Sequence, residues 1–117
     1  MTSTQAVGRW GEDQAVAFLL RKGFVVVERN YHATVGEIDI VARSNEDWYF
    51  IEVKTRRAGE LATDLSITPA KKRKFEKTIT QYCYKRNVLG GSYIMAGLMV
   101  VFDSATKKVA FRLAVFC

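Results

Sequence analysis

Three carboxylates and one ammonium group, Glu12, Asp39, Glu52 and Lys54, stand at spacings that let separate chain segments bring them to one pocket. Acids gathered this way repel and raise one another's pKa. A hard divalent cation such as Mg²⁺ or Mn²⁺ relieves that repulsion, because it prefers oxygen ligands. A lysine beside them can orient an attacking water and stabilise charge growing on a phosphate. Together these are the tools of metal-dependent phosphodiester hydrolysis.

The elements that must position them follow from periodicity. Residues 4–22 predict a helix, with Thr4 as N-cap and Gly23 after the basic pair Arg21-Lys22 as its stop. On that helix Glu12 shares a face with Gly8, Ala15, Val16 and Leu19, a stripe that should meet a sheet. An ionised carboxylate there needs a cation, hydrogen bonds or a wet cleft; the competing reading bends it out to solvent. Phe24 to Asn30 reads as a strand and Tyr31 to Val35 as a turn. Glu37 to Arg43 alternates as a second strand, with Glu37, Asp39 and Val41 on one face and Ile38, Ile40 and Ala42 on the other. The polar turn Ser44-Asn45-Glu46-Asp47 leads by a hairpin into a third strand, Trp48 to Thr55. That strand is apolar on both faces until Glu52 and Lys54 interrupt one of them, which marks it as central. A surface Glu–Lys pair is the plainer alternative. Residues 56–67 read as a loop. Thr68-Pro69 opens a second helix reaching about Arg86, Gly90-Gly91-Ser92 turns, and two strands close the chain, 93–102 and 109–116. The order is α-β-β-β-α-β-β, a mixed sheet with helices against it.

The bulk composition agrees. The chain has 117 residues, enough for one domain with one core. Its mean hydropathy is −0.04, and no apolar run reaches the ~18 residues that suggest a membrane span. The first residues lack a secretory signal, so the expectation is a cytoplasmic protein without a membrane partner. Cys83 and Cys117 have no CxxC spacing and read as free thiols. Net charge is +6, which permits a polyanionic partner. The second helix concentrates cations: Lys71, Lys72, Arg73, Lys74 and Lys77, with Phe75, Ile79, Tyr82 and Cys83 as its apolar stripe. With Arg56 and Arg57 these cations are the candidate nucleic-acid contacts; the alternative is a solvated helix face and a basic loop. His32, the one histidine, reads as a surface residue, and Trp10 as a packing residue.

Three segments carry a family resemblance: Gly8-x-x-Gly11-Glu12, Gly36-Glu37-Ile38-Asp39-Ile40-Val41, and Phe50-Ile51-Glu52-Val53-Lys54-Thr55-Arg56. They resemble the motifs of the YraN-like uncharacterised protein family, and Ser66-Ile67-Thr68-Pro69-Ala70-Lys71-Lys72-Arg73 resembles its next block. That family is similar to Holliday-junction resolvases and to the PD-(D/E)xK nucleases. The resemblance implies a restriction-endonuclease-like α/β fold, a metal site at Asp39 and Glu52 assisted by Glu12, and a catalytic Lys54. One departure stands out. Where family members tend to carry Arg-Phe-Asp, this chain has Ala96-Gly97-Leu98. The expected function is a Mg²⁺- or Mn²⁺-dependent endonuclease acting on DNA, branched or damaged DNA included, with RNA as the other polyanion to consider. The alternative is a silent module that binds nucleic acid or a DNA-processing partner. The resemblance to resolvases makes a homodimer one option, since two scissile strands need two sites; the apolar final strand, 109–116, reads as its interface, as core or as a sheet edge.

Overall fold

The computed structural model describes residues 4–59, 67–88 and 90–116. Their elements run α1 (Thr4–Arg21), β1 (Val25–Ala33), β2 (Gly36–Ser44), β3 (Asp47–Arg57), α2 (Pro69–Lys85), β4 (Tyr93–Asp103) and β5 (Lys108–Val115). The order is the expected α-β-β-β-α-β-β. The strands form one sheet in the order β1-β2-β3-β4-β5. All neighbours are antiparallel except β3 and β4. A parallel pair needs a crossover connection, and α2 lies within it. Among the described residues no helix is long and apolar enough to cross a membrane.

β3 is central, as its two apolar faces require. Phe50 and Ile51 are both fully buried but face opposite ways. Ile51 joins Ala15, Leu19, Ile40, Ala42, Ala96, Leu98 and Val100 beneath α1. Phe50 joins Tyr31, Ile38, Val41, Phe75, Ile79, Tyr82 and Met95 beneath α2. Burying side chains of this size stabilises the fold by about 1.5–3 kcal/mol each. Trp10 packs as expected, edge-on to Phe102 with centroids 5.7 Å apart.

Local signals set the ends. The Thr68 side chain accepts a hydrogen bond from the Lys71 backbone N–H at 3.2 Å and Pro69 occupies the first turn, an N-terminus built as the sequence predicts. The β2–β3 hairpin turns on Asn45 and Glu46, with Asn45 at φ 57°. Asparagine tolerates the left-handed region that two-residue hairpin turns favour. At its other end α2 is clamped to β1: Arg86 donates to both Glu28 carboxylate oxygens, at 2.9 and 2.8 Å.

The structure revises two expectations. Tyr31 to Ala33 continues β1 instead of turning, because Tyr31 is buried against Tyr82, with ring centroids 5.0 Å apart. The turn shrinks to Thr34-Val35. Arg56 and Arg57 likewise extend β3, where they pair with Val101 and Phe102. The rest of the expected loop falls mainly on residues 60–66, outside the described residues.

Candidate functional site

The β2–β3 ladder runs from Ser44↔Asp47 to Ile40↔Ile51 and ends there. β3 meanwhile stays paired with β4 as far as Arg57↔Phe102. The sheet therefore forks, and the next residues in line are Asp39 on one prong and Glu52 on the other. Asp39 does not swing free. Its Oδ2 accepts a hydrogen bond from the Val53 backbone N–H at 2.8 Å, so a side chain bridges the gap where the ladder stops.

Asp39 is the electrostatic centre of the site. Burial pushes its carboxyl from the ordinary 3.8 up to about 6, and the charges of Glu12, Glu37 and Glu52 add to the rise while the Val53 N–H opposes it. Glu12 arrives from α1, on the other side of the sheet from α2. Burial raises its pKa too, with Arg29 pulling the other way and Asp13 and Glu37 adding to the rise. Its Oε1 is buried with no hydrogen-bond partner among the described residues, a costly arrangement for a carboxylate.

On the α2 side the fork opens into a cleft of about 470 Å³. Asp39, Glu37 and Glu52 lie on one wall, Lys71, Lys74, Phe75 and Thr78 on the other, and His32 at the hairpin end. His32 Nδ1 lies 3.1 Å from Glu37 Oε2. The walls touch at Gly36: a Cβ there would sit 2.8 Å from Thr78 Oγ1. Thr78 is buried, and its hydroxyl donates to the Lys74 carbonyl at 2.9 Å.

The predicted residues thus fall into groups. Asp39 and Glu52 line the cleft with Lys71 and Lys74. Glu12 reaches Asp39 electrostatically from behind and is outside the cleft's lining, as is Lys54, which is half-buried level with Met99. Arg73 and Lys77 border a separate shallow depression on the outer face of α2, with Glu76 and Thr80. Lys72 is half-buried and Arg57 exposed, while Arg56 donates to the Thr55 carbonyl at 2.9 Å. Two titratable cleft residues had no part in the site expected from the sequence. Glu37 was visible on Asp39's face by alternation, and His32 is marked only by its place five residues before Glu37.

The donor set suits a hard cation: carboxylate oxygens at the fork, and one buried Glu12 oxygen without a proton donor. Among the described residues, no three His, Cys, Asp or Glu side chains are gathered closely enough to hold an ion by direct ligation as they stand. Mg²⁺ keeps several waters and takes only one or two carboxylates, which Asp39 and Glu52 can provide. The Ala96-Gly97-Leu98 departure can now be placed. Ala96 and Leu98 point into the core beneath α1, and Gly97 stands beside Glu52. The two missing polar side chains therefore belong to the face away from the cleft.

A five-stranded mixed sheet between two helices, forked at an acidic cleft, defines the class of α/β protein. The chain belongs to uncharacterised protein family UPF0102, whose sequence profile matches residues 11–106. It is similar to a UPF0102 protein of Sulfurimonas denitrificans, 39% identical over 97 residues that cover 83% of this chain and 87% of that one. A UPF0102 protein of Dictyoglomus turgidum is 35% identical over 107 residues, 92% of this chain and 91% of its own. One of Desulfitobacterium hafniense is 42% identical over 84 residues, 71% and 69%.

Proposed function

We propose that the protein is a Mg²⁺- or Mn²⁺-dependent endonuclease of the restriction-endonuclease-like kind, hydrolysing phosphodiester bonds of DNA. The observation that carries this reading is the fork, where a half-buried Asp39, held by the Val53 N–H, stands next in line with Glu52 and faces Lys71 and Lys74 across the cleft. Asp39 and Glu52 would hold the ion, and the unpartnered Glu12 oxygen would accept from its water shell. The bound ion supplies Lewis-acid polarisation of the phosphate and activation of water. Lys71 and Lys74 seat the phosphate backbone by charge. Lys54, two positions beyond Glu52 on the same face of β3, offsets charge developing on the phosphoryl oxygens.

The test is cleavage of labelled duplex, single-stranded and four-way-junction DNA by purified protein with Mn²⁺. Asp39→Ala and Lys54→Ala should each abolish cutting. Cleavage that survives both belongs to a contaminant and removes the proposal. A second reading, a module that binds nucleic acid without turnover, draws support from the position of Lys54 outside the cleft's lining. It predicts salt-dependent binding of the same DNAs with no nicking at any Mn²⁺ concentration.

A further inference from the structure

The β1–β2 hairpin is twisted through one position. Along β1, Glu28 faces α2, where Arg86 holds it, and Arg29 faces α1, where it pairs with Asp13 at 2.7 Å. Regular alternation would send Tyr31 to the α1 face. It packs instead against Tyr82 of α2. β2 does the same: Ala42 and Ile40 belong to the core beneath α1 and Val41 to that beneath α2, yet Ile38 also lies beneath α2. Both strands change face across a single residue, Asn30 in one and Asp39 in the other. The register places these two opposite each other, between the pairs Arg29↔Ile40 and Tyr31↔Ile38. Asn30 has φ 53°, a left-handed conformation that asparagine and glycine adopt readily and β-branched residues do not.

We infer that Asn30 is a positioning residue: its left-handed turn rotates the outer half of the hairpin, residues 31–38, and thereby aims Asp39 into the fork and closes Gly36 against α2. The inference rests on the reading of Asp39 as the centre of the site and adds the residue that sets its direction. Three contacts agree with the rotation. Asp39 reaches the Val53 N–H across the fork instead of following β2's alternation. Gly36 presses on Thr78. Tyr31 and Ile38 both join the core beneath α2.

The experiment compares Asn30→Gly and Asn30→Val by amide hydrogen exchange and by Mn²⁺ calorimetry. The Val53 amide reports directly on whether Asp39 is held in the fork, whatever the protein's activity. Asn30→Gly should leave its exchange and the Mn²⁺ affinity as in the natural chain. Asn30→Val should speed exchange at Val53 at least tenfold and weaken Mn²⁺ at least fivefold, while the amide of Ile51, deep in the sheet, stays protected. Should Asn30→Val not fold, Asn30→Ala takes its place. Equal protection of Val53 in all variants overturns the inference, and so does loss of protection at Val53 and Ile51 together, which marks plain destabilisation. If the natural chain neither binds Mn²⁺ nor cleaves, the nuclease proposal fails, and the Val53 amide still decides the role of Asn30.

Discussion

Val53 donates its backbone N–H to Asp39 Oδ2 at 2.8 Å across the point where β2 and β3 part. That bond favours the ionised carboxylate, but burial outweighs it and leaves the group near 6.

A stability profile follows from this balance. The folded protein holds Asp39's proton more tightly than the unfolded chain does, so its contribution to stability is full below 3.8 and is lost as pH rises through about 6. Asp39→Asn keeps an acceptor for the Val53 N–H and removes the charge. Urea unfolding at pH 7 should find it more stable than the natural chain by up to about 3 kcal/mol, with little difference near pH 4. Saturating Mn²⁺ should narrow the gap by stabilising only the natural chain.

Gly11 tests packing against propensity. In a helix interior Gly→Ala ordinarily stabilises by about 1 kcal/mol. Here the new methyl would collide with the Thr55 side chain, whose Cβ lies only 3.1 Å from its position. Overpacking of this kind costs about 1–3 kcal/mol, so Gly11→Ala should destabilise. Chemical denaturation reads the sign.

Gly36 and Thr78 should behave as a size-matched pair. Gly36→Ala places a carbon 2.8 Å from the Thr78 hydroxyl and should lower stability by about 1–3 kcal/mol. Thr78→Ala removes the obstructing atom. In a double-mutant cycle the two changes together should cost at least about 1 kcal/mol less than their sum. Strict additivity would mean the walls of the cleft are not in firm contact.

The cations of α2 should separate by position. Lys71 and Lys74 line the cleft, whereas Lys77 borders the separate depression on the outer face of α2. Lys71→Ala and Lys74→Ala should each reduce the slope of log affinity against log salt by about 1 for DNA. Lys77→Ala, away from the cleft, should leave the slope nearly as it is. Fluorescence anisotropy across a salt series makes the comparison.

Much of this architecture was legible from residue patterns. The helix signals at Thr68-Pro69, the double-faced apolar run of β3 and the alternation of β2 placed α2, β3 and β2 in the observed order and brought Asp39 beside Glu52. What escaped was the local break in period. Strict alternation put Ile38 with Ile40, and nothing in apolar pattern alone marks a face change at Asp39. The available sign was Asn30, a residue that strands disfavour and left-handed backbone accepts. Ending the strand there converted that sign into a turn. Lys54 was placed by alternation alone, which fixes its face of β3 but not whether it reaches the cleft wall.

The unpaired flank of β1 bears on how the molecule behaves at high concentration. Val25 and Val27 are exposed along it, the sort of margin that recruits strands from other molecules. The register slip between Val26 and Glu28 and the left-handed backbone at Asn30 interrupt the run of donors and acceptors that an incoming strand would match. An edge broken in this way disfavours the in-register pairing of identical strands from which fibrils grow.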